Sequence, residues 1–246
     1  MKKVKILIVH GWLHSARRYQ RLKKELESRG NIQVTLYEFP GFGKTPARYR
    51  NHILKHYTED MVEYLRNHHF DVVIAHSMGG NVALRAASRM KEDSRLILMN
   101  PVYRGIPLLR CLLPVWPLVF AALKFVKKPG RFQDFLLKAV SLLTINRWRL
   151  IDDLILCDAR RADVSTAALL LFEMAFDRFK LGEAGPPCHT LLFVSEKDRI
   201  IPKRHIRRLA QDLKDREIVL FPGIGHTIVL EDFERLADQI ISLKNL

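Results

Sequence analysis

A chain of 246 residues, 48% hydrophobic and 27% charged, has room for one large domain and is too apolar to be disordered or fibrous. Its 41 Lys and Arg outnumber 26 Asp and Glu, a formal charge of +15 that suits contact with anionic surfaces without specifying a fold. Cys111, Cys157 and Cys188 are an odd set without metal-type spacing, which argues against a disulfide framework and for a reducing, cytoplasmic setting.

In chain order, short β-branched runs alternate with helical patterns. The charged start, Met1-Lys2-Lys3, leads into an apolar run that stops at His10, too short for a secretory core of about 7–15 residues. Residues 4–9 therefore read as a buried strand. Residues 16–29 read as a helix, with Leu22 and Leu26 four apart and Gly30 beyond its end. A strand follows at 32–37, then the turn-rich loop Glu38-Phe39-Pro40-Gly41-Phe42-Gly43 and a helix at 52–67. Residues 70–75 form a continuous apolar strand, which turns at 76–80 into a helix running to about Met90, and 95–99 is the next strand. The far end reads strand 190–195, helix 202–214, strand 217–221 and helix 228–243. Solid apolar strands separated by helices predict an α/β fold, a mostly parallel sheet with helices on both faces.

Residues 102–186 interrupt this rhythm. They carry helical patterns, Pro107, Pro114, Pro117 and Pro129, and end at the hinge-like Gly182-Glu183-Ala184-Gly185-Pro186-Pro187. The expected organisation is a core of 1–101 and 187–246 with a helical cap or lid inserted at 102–186.

The strongest chemical signal is Ala75-His76-Ser77-Met78-Gly79, between a strand and a helix. A serine hydroxyl is a poor nucleophile unless a sharp turn exposes it beside a base and backbone N–H donors. The plainer reading of Ser77 is a helix N-cap. Four further features stand in order around it: Val9-His10-Gly11-Trp12 after the first strand, Phe39-Pro40-Gly41-Phe42-Gly43 after the second, Asp198 after the strand at 190–195, and Gly223-Ile224-Gly225-His226 after the strand at 217–221. Over nearly its whole length the chain thus resembles the α/β-hydrolase family, with Ala75 where that family usually has glycine.

The resemblance implies roles. Ser77 would be the nucleophile, His226 the general base and Asp198 the group that orients it, in the family's chain order. The N–H groups of Met78 and Trp12 would form the oxyanion hole. No metal or organic cofactor is expected. Serine at 77 separates the chain from epoxide hydrolases and dehalogenases, which use aspartate there. Glu196 is the serious competitor of Asp198; Asp152, Asp153 and Asp158 lie in the inserted segment. Met99-Asn100-Pro101, where some relatives carry the acid, has no carboxylate. His10 reads as a brace of the oxyanion loop rather than a base, and joins Trp116, Phe120, Phe125 and Trp148 as a candidate substrate contact.

Two other chemistries fail on spacing. Gly43-Lys44-Thr45 would end a phosphate-binding loop only with a glycine at position 38, which is Glu38. No His or Cys set has zinc-ligand spacing. Between Cys111 and Leu123 no residue is charged, and Arg110, Lys124, Lys127 and Lys128 flank the run. With Pro114 and Pro117 it falls short of the roughly 20 residues of a membrane span. It reads as a cap whose apolar face lines a substrate pocket, or as a lid that dips into an anionic membrane surface. Either predicts a lipophilic substrate. The basic pairs Arg17-Arg18 and Lys23-Lys24 and the 203–208 cluster lack interleaved aromatics, so no nucleic acid is expected. The expected function is a serine hydrolase acting on a carboxylic ester through an acyl-enzyme. Thioesterase, lysophospholipase or monoacylglycerol lipase, C–C bond hydrolase and a non-catalytic receptor stay open.

Overall fold

The computed structural model describes residues 3–143, 145–146, 153–182 and 185–243. Among them six strands form one sheet: β1 (Val4–Val9), β2 (Ile32–Tyr37), β3 (Val72–His76), β4 (Arg95–Met99), β5 (His189–Ser195) and β6 (Arg216–Phe221), in the order β2-β1-β3-β4-β5-β6. Every pairing is parallel. The chain builds outward from β1 to β2, then returns to place β3 on β1's other side. Strand order reverses there, and the loops after β1 and β3 open a crevice at the carboxyl ends of the strands.

Alternation along the central strands divides the core. Leu7, Val9, Val73, Ala75, Leu96 and Leu98 point to one face, where they meet α2 (Ile53–Asn67), α3 (Met78–Ala86) and α8 (Lys203–Asp212). Ile6, Ile8, Val72, Ile74, Ile97 and Met99 point to the other, against α1 (Gln20–Ser28) and α10 (Phe233–Ser242). Burial on both faces explains why these strands read as unbroken apolar runs.

Three expected helices are divided, the one after β3 passing from α3 into a 3-10 turn at Ala87–Arg89. The first begins as a 3-10 turn, Ala16–Tyr19, before α1. The last splits into α9 (Ile228–Glu231) and α10, because Asp232 leaves helical geometry at φ −145° and ψ 56°.

Between the neighbouring strands β4 and β5 lie α4 (Trp116–Lys127), α5 (Arg131–Ser141), α6 (Asp153–Arg161) and α7 (Val164–Phe176). The later two are held to the sheet domain by polar ties. Asp158 of α6 accepts from Ser15 Oγ at 2.5 Å and from Arg18 Nε at 2.9 Å, a buried pair with its hydrogen bonds made. Glu173 of α7 accepts the N–H groups of Ile53 and Leu54, 2.8 and 2.7 Å away, and so caps α2. Trp12 Nε1 donates to the Ala167 carbonyl at 2.9 Å.

Candidate active site

Ser77 sits at the turn from β3 into α3 with φ 53° and ψ −115°. Such a backbone is costly for a residue with a Cβ, about 1–3 kcal/mol, and persists only where neighbours over-determine it. Here the Ser77 N–H donates to Met99 O at 2.9 Å, and Val102 N–H donates to Ser77 O at 3.1 Å. Gly79 and Gly80 permit the close approach. A Cβ on Gly79 would overlap the His10 carbonyl oxygen, and one on Gly80 would stand 2.8 Å from Pro101 Cβ. Ala75, where the family's glycine was noted as missing, is fully buried within the sheet.

Three distant stretches meet at this turn. His226 Nε2 lies 2.9 Å from Ser77 Oγ, and His226 Nδ1 lies 2.7 Å from Asp198 Oδ2. A carboxylate only accepts, so Nδ1 carries the proton and Nε2 faces the serine hydroxyl as an acceptor. The other Asp198 oxygen accepts the N–H groups of Ile200 at 2.7 Å and Ile201 at 3.0 Å. Burial raises the Asp198 carboxyl's pKa, but His226 and these two donors outweigh it, so the net shift is downward. Asp198 thus stays charged where it abuts the imidazole. Glu196, its competitor, is exposed and accepts Gly223 N–H at 2.8 Å.

Met78 opens α3, and the N–H of a first helical residue has no partner in its own helix. Trp12 is the second residue of the turn closed by His14 N–H on Gly11 O at 3.2 Å, a position whose N–H that turn does not use. Gly11 lets this loop lie against the serine: a Cβ there would be 3.1 Å from Ser77 Cβ. Among the described residues neither N–H has a backbone acceptor outside its own element, which leaves the two as candidate donors to an oxyanion formed at this turn.

Some expectations change. His10 stands as the brace of the oxyanion loop. It is fully buried, its Nδ1 donating to Gly11 O at 2.8 Å and its Nε2 accepting from Phe39 N–H at 3.1 Å, so both nitrogens are taken. Phe125 points outward, 41% exposed. Trp116 packs edge-on against Phe172, and Phe120 lies under Lys124 Nζ. An apolar pocket beside the oxyanion loop is lined by Leu13, Leu123, Val126, Leu137, Ala162 and Ala167, with Lys127 at its wall. Trp148 lies outside the described residues.

Two residues were overlooked. Asn100 Nδ2 donates to the His226 carbonyl at 2.8 Å, and His76 Nε2 reaches the same oxygen at 3.0 Å. Asn100 also locks β5 through Ser195 N–H and Oγ. Their one signal in the sequence was their place at the ends of β4 and β3. Glu38 accepts the N–H groups of Ala16 and Lys44, so a carboxylate fills the loop that spelled Gly43-Lys44-Thr45. Among the described residues no cluster of three or more His, Cys, Asp or Glu could hold a metal ion.

Residues 6–239 match the model of the alpha/beta hydrolase family. Solved structures share the fold. An esterase from Exiguobacterium antarcticum is 15% identical with a TM-score of 0.78, over 100% of this chain and 93% of that one. A thermophilic esterase from Thermogutta terrifontis is 21% identical with a TM-score of 0.76, over 99% and 90%. An enol-lactonase from Burkholderia xenovorans LB400 is 15% identical with a TM-score of 0.77, over 100% and 93%. No curated protein matches. Identities this low speak for the fold alone.

Proposed function

The chain belongs to the α/β-hydrolase family, and from that premise we propose that it is a serine hydrolase that cleaves a carboxylic ester of a lipophilic substrate. The observation that carries this reading is the hydrogen-bonded row Ser77–His226–Asp198. In the proposed reaction His226 Nε2 takes the Ser77 proton as Oγ attacks the acyl carbon. The N–H groups of Met78 and Trp12 hold the oxyanion; losing one such donor costs on the order of 3–4 kcal/mol of transition-state stabilisation. His226 then returns the proton to the departing alcohol, leaving an acyl-Ser77. Water, deprotonated by the same imidazole, attacks the acyl carbon; the bond to Ser77 Oγ breaks, His226 returns the proton to Oγ and the acid leaves.

The lipophilic part rests on the apolar side chains of α4, of which Leu123 and Val126 stand with Leu13, the residue after Trp12, around a small crevice of about 20 Å³ that Lys127 also lines. In this reading the 102–186 segment is a cap, and its α7 is tied to the oxyanion loop by Trp12 Nε1 on the Ala167 carbonyl. The test is labelling by a fluorophosphonate probe, followed by a chain-length series of p-nitrophenyl esters. Wild type should be labelled and should turn over the longer esters faster, while Ser77→Ala should do neither and keep its circular dichroism spectrum. Unlabelled, correctly folded wild type beside a labelled control esterase would move the chain to the non-catalytic receptor reading.

A further inference from the structure

Helix α4 is apolar on both sides. Val119, Phe120, Leu123 and Val126 are half-buried, and Leu123 and Val126 face the pocket beside Leu13. Leu118, Ala121, Ala122 and Phe125 fall at i, i+3, i+4 and i+7, the spacing of a single helical face, and all four are exposed. On α5, Phe132 is 61% and Phe135 58% exposed. The Phe125 and Phe132 rings meet edge-on with centroids 6.2 Å apart, so the outward faces of the two helices join into one patch. Patches of this kind on a folded chain mark contact sites.

The surroundings of the patch are cationic. Lys124, Lys128 and Arg131 are exposed, and Lys127 and Lys138 are half-buried. The single acid of the two helices, Asp134, is already paired with Arg160. A second copy of the chain would bring like charges together around its rim. A membrane crossing is also disfavoured. The stretch Leu109–Lys127 has the length and apolarity to span. Its first half, however, is a 3-10 segment through Pro114, and Arg110 Nε and Ile106 N–H are tied to the Ala175 and Met174 carbonyls at 2.9 Å.

We propose that the α4–α5 face docks on the surface of an anionic lipid bilayer. Leu118, Phe125, Phe132 and Phe135 enter the acyl boundary, while Lys124, Lys128 and Arg131 meet head-group phosphates. Nothing in this docking depends on Ser77, so it stands apart from the hydrolase reading.

Sedimentation of the full chain with vesicles tests it, using phosphatidylcholine alone or mixed with phosphatidylserine. The chain should pellet with the mixed vesicles, stay in solution with the neutral ones and be released by high salt. Phe132→Ser with Phe135→Ser should lower partitioning at least about ten-fold. Lys128→Gln with Arg131→Gln should lower it roughly five-fold per charge removed. All four positions are exposed, so both variants should keep the wild-type circular dichroism spectrum. Ser77→Ala should bind as wild type does, which separates lipid docking from catalysis. Equal pelleting with neutral vesicles overturns the proposal, as does undiminished binding of the double serine variant. A dimer in light scattering that the serine variant dissolves would assign the face to a second copy instead. Pelleted chain that resists salt and alkali and yields only to detergent would mean α4 crosses the bilayer.

Discussion

His226 is held at one end and used at the other. Asn100 and His76 grip its backbone carbonyl, while its ring bridges Asp198 and Ser77. The imidazole is thereby aimed by contacts that never meet a substrate, and Asp198 fixes which nitrogen carries the proton. An amide in place of that carboxylate could donate to Nδ1 and turn the tautomer round. Asp198→Asn should therefore fold normally and lose kcat on the order of ten-thousand-fold, the loss seen when a serine protease triad loses its aspartate. Steady-state ester hydrolysis checks this. Near-normal turnover would transfer the orienting duty to another acid, with Glu196 the one to mutate next.

At the scale of the element, β3, the turn and α3 act as one strained unit. The unusual backbone of Ser77 is tolerable because α3 starts in contact with the loop after β1, and glycine at 79 is what lets the two touch. A methyl there meets a backbone carbonyl, which cannot swing aside as a side chain would. Gly79→Ala should cost at least about 1–3 kcal/mol of stability. Gly182→Ala is the matched control: among the described residues no atom beyond its chain neighbours lies within 4 Å of its added Cβ, so the change should stay within about 0.5 kcal/mol. Urea unfolding of both variants decides the matter. Equal midpoints would show that the elbow can relax around the extra carbon. Sequence pattern predicted the elbow because a strand, a nucleophile and paired glycines are all local signals. It did not predict the anchoring of His226, since Asn100 and residue 226 are brought together only by the packing of β4, β5 and β6.

The whole molecule keeps three buried histidines neutral near the site. Burial is the main cause in each. It lowers His10 to about 4, although Gly11 and Glu38 work the other way, and lowers His76 to about 3 with His226 adding to the effect. His14 is also held well below its ordinary value, by burial and then by Arg18. In the unfolded chain all three would titrate near 6.5. Below that pH the unfolded state takes up protons that the folded state refuses. Their stabilising contribution is therefore complete above about pH 6.5 and drains away as pH falls toward 4. Three such groups give a slope of up to about 4 kcal/mol per pH unit. Urea midpoints should be level above neutrality and drop steeply between about pH 6.5 and 5. A level profile through that range would mean that the rings accept protons in place.

Local pattern by itself determined the alternation of strands and helices and the serine at the elbow, because each is written in a short run of neighbours, and the family resemblance added the acid and the histidine to watch. Tertiary structure alone decided which side of α4 looks outward. Periodicity groups residues onto a face, but when both faces are apolar it carries no information about which one meets the core. Packing put Phe125 at the surface and Leu123 beside the pocket.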